Sequence, residues 1–383
     1  MKIAIISCFE TYQNRIDDMK KYYLSRNNEV VIIKSNYLHF KKQYIGKKDE
    51  DTVLIDVPSY KKNISIKRII SHFMFSKRTL KYLNNNDFDL IHVLIPPNSL
   101  CKQLSKLDGN VKIIYDVIDF WPETMPLKRV SSTSFYRKWK KLRNNYIGDS
   151  DFIITECNLF ENRIREELLC RQVETVYFTR EEISDVENLC LSDKKIELVY
   201  LGSINNIIDI ENIVLILKEL NKKIDIIFHL IGGGENKTRF LKLLDVNMIN
   251  YVDYGLVYDF EEKREIFSKC AFAFNIMKPD VFVGLTMKSL DYFQYGIPII
   301  NNISYDTEKI VDDYLVGVNV NSFNSNDELI ETIISKSRVV DNTKMRRNVS
   351  KMFTETFSFN ILEKKMDAIL DEIMLNKSDR GSK

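Results

Sequence analysis

The chain has 383 residues, of which 44% are hydrophobic and 11% aromatic, and its net charge is +2. This length exceeds one ordinary hydrophobic core and predicts two domains of about 150 to 200 residues each. No segment reaches the roughly 18 consecutive apolar residues of a membrane-spanning helix, so none is predicted.

Strands and helices alternate through the first half of the chain. Short apolar runs predict strands at 1–8, 29–35, 51–57, 89–96, 111–119 and 151–156. Helices are predicted near 15–25 and 162–169. Alternation at this spacing predicts an α/β fold with a doubly wound parallel sheet.

The same alternation begins again after the polar stretch 180–195. Strands are predicted at 196–203, 224–234, 249–255, 270–277 and 297–302, with helices near 210–221 and 260–269. We therefore place the domain boundary near residue 185. The predicted domains are 1–185 and 186–358, followed by a last segment, 359–383, that contains a helix.

The chain is expected to be cytoplasmic. Its six cysteines show no CxxC pairing and are typical of reduced thiols. The apolar start MKIAIISC is too short for a signal peptide and lacks a small-residue cleavage site, so it is interpreted as the first strand.

Charge is distributed unevenly along the chain. Residues 1–180 contain 31 lysines and arginines against 21 acidic residues. Much of the excess lies in 61–83 and 127–146. Both segments mix cations with apolar residues, including Phe73, Phe75, Phe135 and Trp139, as in helices that lie on an anionic membrane surface. A pair of solvated helices with a buried stripe is the alternative for either segment. No nucleic-acid recognition motif is present, so nucleic acid is not an expected partner.

The segment 281–300 contains a short helix that follows a loop of small residues. At about 100° per residue, one side of this helix carries Lys288, Asp291, Tyr292 and Tyr295, and the other carries Met287, Leu290 and Phe293. The free backbone amides of Leu285, Thr286 and Met287 lie at the positive end of the helix dipole and favour an anion such as a diphosphate. An ordinary amphipathic helix capped by a turn has the same spacing.

This segment carries a family resemblance. Residues 284–298, with Lys288, Asp291-Tyr292-Phe293, Gly296 and Pro298 in register, resemble the donor site of the GT-B retaining glycosyltransferases. More narrowly, they resemble the family 4 enzymes of bacterial capsule, exopolysaccharide and O-antigen (lipopolysaccharide) synthesis. The resemblance implies two Rossmann-like domains facing across a cleft and a last helix that crosses back to the first domain.

The resemblance also assigns roles in binding the donor. It places Lys288 on the phosphates and Asp291 on the ribose, while the family's sugar-binding glutamate falls on Val283. Gly202 and Ser203 correspond to the first donor loop, where the family's usual diphosphate-binding cations would fall on Ser203 and Asp209. Two further loops correspond to the base-binding region, and they contain Gly233, Gly234 and Gly255.

The acceptor side is expected in the first domain, in the segment YDVIDFWPETMP (115–126). Asp119 falls where the family often has a histidine, and Trp121 with Glu123 suits sugar binding; alternatively, Trp121 fixes the loop to the core and Asp119 caps a turn. Asn14 and Arg15 are weaker candidates for acceptor or donor phosphate. His92 could reach the cleft, although a satisfied, partly buried imidazole is the more ordinary role of such a histidine.

No metal or other cofactor is expected. The triplet Asp87-Phe88-Asp89 mimics a metal-binding DxD motif, but it precedes a strand. Phosphate charge would instead be met by the helix start and Lys288, with the leaving diphosphate assisting deprotonation of the acceptor, as the family is thought to do. Asp119 and Lys288 are the predicted catalytic residues.

The predicted function is retaining transfer of a sugar from a nucleotide-sugar, with a UDP-sugar favoured, to a lipid-linked saccharide. The enzyme would be a peripheral protein on the cytoplasmic face of the membrane and would act in surface polysaccharide biosynthesis. Val283 and the missing cation pair keep a second hypothesis open, a non-catalytic GT-B subunit that binds an acceptor or a partner transferase. A nucleotide-sugar epimerase of the same fold is a third, less favoured hypothesis.

Overall fold

The computed structural model describes residues 1–46, 49–63, 65–107, 111–125, 133–169, 172–183 and 189–380. The chain divides into two compact units. Unit 1 comprises Met1–Thr179 together with Phe359–Lys383, and unit 2 comprises Arg180–Ser358.

Unit 1 is built on a seven-stranded parallel sheet with the strand order β5-β2-β1-β6-β7-β8-β9. A separate hairpin pairs β3 with β4. The strands are β1 (Lys2–Ser7), β2 (Glu29–Ser35), β3 (Tyr37–Leu38), β4 (Gln43–Tyr44), β5 (Thr52–Ile55), β6 (Leu90–Ile95), β7 (Lys112–Val117), β8 (Phe152–Thr155) and β9 (Val173–Thr175). Strand β1 lies between β2 and β6, with Ile5 opposite Ile32 on one side and His92 on the other.

Six described helices belong to unit 1. They are α1 (Gln13–Ser25), α2 (Ile66–Leu83), α3 (Ser99–Leu104), α4 (Ser134–Ile147), α5 (Asn158–Leu168) and the later α13 (Phe359–Arg380). Helix α13 is held on α1 by Arg26, whose guanidinium donates to Glu363 at 2.6 Å and to Asp367 at 2.7 Å. The hydroxyl of Tyr22 donates to Asp367 as well, at 2.7 Å. These contacts join the end of the described chain to its first helix.

Unit 2 is built on a six-stranded parallel sheet with the strand order β12-β11-β10-β13-β14-β15. The strands are β10 (Lys195–Leu201), β11 (Asp225–Ile231), β12 (Tyr251–Gly255), β13 (Phe272–Asn275), β14 (Ile299–Asn301) and β15 (Gly317–Asn319). The helices are α6 (Ile210–Asn221), α7 (Lys237–Val246), α8 (Phe260–Lys269), α9 (Met287–Gln294), α10 (Asp306–Tyr314), α11 (Asn326–Ser337) and α12 (Val339–Phe357).

Buried asparagines close the carboxyl ends of three strands in unit 2. Asn275 of β13 donates to Asn301 of β14 at 3.0 Å, and Asn301 donates to Asn319 of β15 at 2.8 Å. Because each amide in this row has a partner, the polar row is buried without an unsatisfied group. It fixes the strand ends from which the next loops depart.

The two parallel sheets confirm the predicted α/β class. All of the predicted strands are present, because a parallel strand covered on both faces is a short apolar run that the sequence displays directly. The three-residue strands β9 and β15 were not predicted. Each is too short to show a period of its own.

Candidate functional site

Helix α9 in unit 2 begins at a fully satisfied cap. Thr286 is its N-cap: its hydroxyl oxygen accepts from the Ser289 amide at 3.1 Å, and its own amide donates to the Ser289 hydroxyl at 3.3 Å. The Thr286 hydroxyl also donates to Asn275 at 2.9 Å, which fixes the cap to the end of β13. The next amides, of Met287 and Lys288, have no intrahelical acceptor and lie at the positive end of the helix dipole.

Lys288 lies in the first turn of α9 and is partly buried. Its Nζ is 3.3 Å from the hydroxyl of Tyr200 and 4.7 Å from the centre of that ring. Among the residues that the structure describes, no carboxylate pairs with it. Burial lowers the pKa of Lys288 to about 7. An anion placed here would supply the missing counter-charge, and burial would strengthen the attraction.

Tyr200 links this lysine to the first glycine loop. It lies on β10, and its hydroxyl donates to the carbonyl of Ser203 at 2.9 Å. Gly202 and Ser203 follow directly after β10, so the predicted loop and the first turn of α9 meet at the carboxyl edge of one sheet. Ligands bind at this edge in open parallel sheets.

The glycine loop after β11 is packed tightly against its neighbours. The amide of Ile204 donates to Gly233 at 2.8 Å, and the amide of Gly232 donates to Gly255 at 2.6 Å. A Cβ atom on Gly234, whose φ is +141°, would lie 2.6 Å from the carbonyl oxygen of Ile204. The predicted glycines therefore form one hydrogen-bonded layer of backbone, and Gly234 must lack a side chain.

Asp291 lies one turn after Lys288 and is partly exposed. Its carboxylate pairs with Arg180, whose Nε is 3.3 Å away. Burial raises the pKa of Asp291, and Arg180 partly offsets this effect. Sequence reasoning missed Arg180, because it opens the polar stretch that was interpreted as a connection between domains.

The predicted faces of α9 are partly wrong. Met287, expected on the buried side, is 44% exposed, whereas Tyr292, expected beside Asp291 on the open side, is fully buried. The Tyr292 hydroxyl accepts from the amide of Leu201 at 2.7 Å and so fixes the end of β10. An eight-residue helix that packs on both β13 and α12 is buried from two sides, so one-sided periodicity does not describe it.

Ser203 and Asp209, the two positions at which the sequence lacks the usual pair of cations, supply no positive charge to this edge. Asp209 caps α6 by accepting from the amide of Asn212 at 3.1 Å, and Ser203 is exposed. Val283 packs against the hydrophobic core of unit 2. Leu285 is partly buried. Of the predicted donor-side features, the structure therefore brings together Lys288, the start of α9 and the glycine loops at the carboxyl edge of the sheet of unit 2.

In unit 1, Arg15 and His92 occupy a closed polar network rather than a surface. Both side chains are fully buried, as is Asp116. Arg15 donates to Asp116 at 2.7 Å, and His92 contacts Asp116 at 3.1 Å and Tyr23 at 2.8 Å. Burial alone would raise the pKa of Asp116, but Arg15 and His92 hold it below its ordinary value. The predicted ligand contacts of Arg15 and His92 have no support in this geometry.

The segment after β7 is also tied to its surroundings. The hydroxyl of Tyr12 donates to Asp119, and burial raises the pKa of that carboxyl. Trp121 is 8% exposed and stacks on the ring of His72, with the ring centres 6.0 Å apart. Glu123 accepts two hydrogen bonds from Arg143, each 3.0 Å long.

The predicted acceptor-side residues therefore differ in accessibility. The Glu123 carboxylate is occupied by Arg143 and by Lys140 at 3.0 Å. Asn14 is exposed in the first turn of α1. Asp119 remains partly accessible and has a raised pKa. Asp119 is thus the acidic residue in this segment that combines partial exposure with a raised pKa.

Neither metal-binding clusters nor spanning helices occur in the described ranges. No group of three or more histidine, cysteine or acidic side chains is arranged to hold a metal ion there. Within the same ranges, no helix combines the length and apolar character needed to cross a bilayer.

Comparison with solved structures gives the architecture a name. Sucrose-phosphate synthase from Thermosynechococcus elongatus superposes with a TM-score of 0.73 at 13% identity, covering 98% of this chain and 100% of that one. The lipopolysaccharide outer core galactosyltransferase WaaB superposes with a TM-score of 0.67 at 13% identity, covering 98% and 100%. Anabaena HepE in complex with UDP superposes with a TM-score of 0.67 at 11% identity, covering 97% and 100%.

The chain has the GT-B fold. The match extends over nearly the whole length of each chain, and both parallel sheets take part in it. No protein-family model and no curated protein matches the sequence. At 11–13% identity, these neighbours establish the GT-B fold and leave the activity to be argued from the site.

Proposed function

We propose that this protein is a retaining glycosyltransferase that uses a nucleotide-sugar donor, with a UDP-sugar favoured. One observation carries the proposal. Lys288 carries a partly buried amine beside the free amides that begin α9, and no carboxylate among the described residues pairs with it. An amine in such a position costs folding free energy, and a bound diphosphate would recover it.

The other groups at this edge have roles that fit a nucleotide-sugar. The amides of Met287 and Lys288 would bind the diphosphate, and the Asp291 carboxylate would accept hydrogen bonds from ribose hydroxyls. The glycine loop at Gly233 would lie under the base. Lys288 would stabilise the negative charge that develops on the leaving diphosphate, without need of a metal ion. The UDP found in HepE, which has the same fold, supports this donor class.

The proposed acceptor is a lipid-linked saccharide of a surface polysaccharide. Unit 1 supplies Asp119, which would hydrogen-bond a hydroxyl of the acceptor saccharide, and basic helices suited to the cytoplasmic face of an anionic membrane. The resemblance in fold to WaaB, a lipopolysaccharide galactosyltransferase, supports this acceptor class.

A second candidate is a GT-B subunit that binds a ligand or a partner transferase without catalysis. The packing of Val283 against the core of unit 2 favours this second candidate, because the position offers no polar group to a donor sugar. The use of Asp209 as a helix cap favours it too, because no cation is present there.

The test is calorimetric binding of UDP, GDP and a panel of UDP-sugars, followed by assay of donor hydrolysis. Lys288→Met should weaken binding about 10- to 100-fold, the range for a hydrogen bond to a charged group. Lys242→Met is the matched control, since Lys242 is an exposed lysine on another helix of unit 2.

The outcomes separate the two candidates. Binding that Lys288→Met weakens, together with slow donor hydrolysis, supports the transferase. Binding without hydrolysis of any donor favours the non-catalytic subunit. If no nucleotide binds at millimolar concentration, the donor site proposed here is wrong.

A further inference from the structure

Unit 1 contains a cavity between α2 and α4. Its volume is about 380 Å³, which lies within the range of small-molecule sites. The walls are mainly apolar and aromatic, and they include Ile69, Phe73, Trp121, Phe135 and Trp139. None of these side chains belongs to the proposed nucleotide site, which lies in unit 2.

Helix α2 buries several polar side chains and exposes apolar ones, which is the reverse of an ordinary surface helix. The residues it buries include Arg68, Ser71, His72, Ser76 and Thr79. Its first half exposes a continuous apolar stripe at the spacing i, i+3, i+4, i+7, formed by Ile66, Ile69, Ile70 and Phe73, which are 43–76% exposed. Phe135 of α4 is 49% exposed as well. Such a face is stable where the surrounding medium is apolar.

The charged side chains of the two helices that flank the cavity all have one sign. Helices α2 and α4 together contain ten lysines and arginines and no acidic residue. Seven of these cations are exposed: Lys67, Lys77, Arg78, Lys81, Arg137, Lys138 and Lys141. Lys138 itself lines the cavity. An occupant must therefore combine a hydrocarbon portion with an anionic group.

We infer that the cavity between α2 and α4 binds the hydrocarbon chain of a phosphate-bearing bilayer lipid, whose head group contacts the exposed cations of these helices. The apolar stripe of α2 would lie in the interface beside the bound chain. Membrane contact in the proposed function needs only a basic surface, whereas here one lipid chain enters the protein. The inference deepens that proposed membrane contact and is independent of nucleotide binding.

The two tryptophans of the chain make a direct experiment possible. Trp121 and Trp139 both line the cavity, and no other tryptophan occurs in the sequence. Wild-type protein is mixed with vesicles of phosphatidylglycerol and phosphatidylcholine whose acyl chains carry bromine, which quenches tryptophan on contact. Vesicle flotation at low ionic strength measures binding in the same samples. We expect binding, and quenching that is absent with unbrominated lipid.

Matched variants test the cations and the apolar rim separately. Each cation near an anionic leaflet changes affinity about fivefold, so the charge reversal Lys138→Glu should weaken vesicle binding roughly 30-fold. Lys102→Glu is its control, since Lys102 is exposed on α3 of the same unit and outside the cavity lining. Phe73→Glu should abolish quenching, whereas Met248→Glu, at an exposed apolar residue of unit 2, should not. Far-UV circular dichroism and UDP binding verify that each variant is folded.

Three results would overturn the inference. The first is absence of binding to anionic vesicles, and the second is binding without quenching, which would mean contact through head groups alone. The third is equal affinity for soluble glycerol phosphate, which would assign the cations to a free phosphate. Because UDP binding is measured on the same protein, loss of the lipid site and loss of the nucleotide site are distinguished.

Discussion

Each unit has a basic side chain near its parallel sheet that is shielded from solvent, fully in unit 1 and partly in unit 2, but the two units satisfy that charge differently. In unit 1, Arg15 is fully buried and bonded to Asp116 within a network that also engages His92 and Tyr23. In unit 2, the side-chain partner of Lys288 among the described residues is Tyr200, which carries no negative charge. A closed ion pair has its partner built in and serves the fold. An amine without a counter-charge is unfavourable for folding, which is what a site for an anionic ligand requires.

Removal of the Asp116 carboxylate of unit 1 should have the largest effect on stability. Asp116→Asn leaves the Arg15 charge buried and unpaired, so we expect unit 1 to lose about 3–5 kcal/mol of unfolding free energy. Urea denaturation followed by tryptophan fluorescence reports this unit, because Trp121 and Trp139 both belong to it. In Lys288→Met, the unfolding transition followed by circular dichroism, to which both units contribute, should occur at the wild-type urea concentration or at a higher one. Equal losses in the two variants would make Lys288 a structural residue.

Within unit 2, two neighbouring glycines separate a requirement of the fold from a requirement of nucleotide binding. In Gly234→Ala the new Cβ would meet the backbone of Ile204, and φ is positive, so we expect a loss of about 1–3 kcal/mol in the stability of unit 2. Gly233→Ala meets only the side chain of Leu256 at 3.6 Å and should fold normally. If the loop lies against a nucleotide, Gly233→Ala still weakens UDP binding in calorimetry. Unchanged binding by this folded variant would place the base elsewhere.

The pH dependence of donor binding tests whether Lys288 acts through its charge. With a pKa of about 7 in the free protein, Lys288 is an ammonium below that pH and a neutral amine above it. A diphosphate prefers the ammonium, so affinity for UDP-glucose should fall about tenfold as pH rises from about 6.5 to about 8.5. UDP-glucose suits this titration because its diphosphate has no proton to lose in the range. Lys288→Met should show a flat profile, and a similar slope in both proteins would contradict the assignment.

The smallest expected effect concerns Asp291. Asp291→Asn keeps the shape of the side chain but weakens its acceptance of ribose hydroxyls and removes the ion pair with Arg180, so UDP affinity should fall about three- to tenfold. Binding of 2′-deoxy-UDP serves as the control, since a ligand without that hydroxyl should lose less. An equal loss for both ligands would show that Asp291 does not read the 2′-hydroxyl.

Prediction from the sequence succeeded where the signal was local. Each apolar strand is a run of consecutive residues, so the alternation of strands with helices can be predicted from the sequence. The cap and first turn of α9 likewise depend on residues within a few positions of each other. It failed where the partner was distant along the chain. The pairing of Arg15 with Asp116 spans 101 positions and that of Arg180 with Asp291 spans 111, and neither leaves a periodic trace.

The faces of helices were the second source of error. The side chain of Tyr292 lies on the face opposite to the one that amphipathic spacing indicates, and α2 exposes the apolar stripe that the solvated-helix alternative would bury. Tyr292 is buried because its hydroxyl satisfies the end of β10. Helix α2 buries Ser76 and His72, which have polar partners inside unit 1: Ser99 lies 2.7 Å from Ser76, and Arg68 lies 3.4 Å from His72. A polar residue with a partner inside is no signal of an exposed face.

The attachment of α13 to α1 has a consequence for biosynthesis. Unit 1 requires residues from both Met1–Thr179 and Phe359–Lys383, so its packing is incomplete while the ribosome translates the intervening segment Arg180–Ser358. At about 5–20 residues per second, that delay is roughly 9–36 s. During this time the surface of α1 that receives Glu363 and Asp367 is uncovered in the nascent chain. The unit that begins first is therefore completed last, after unit 2 has been fully synthesised.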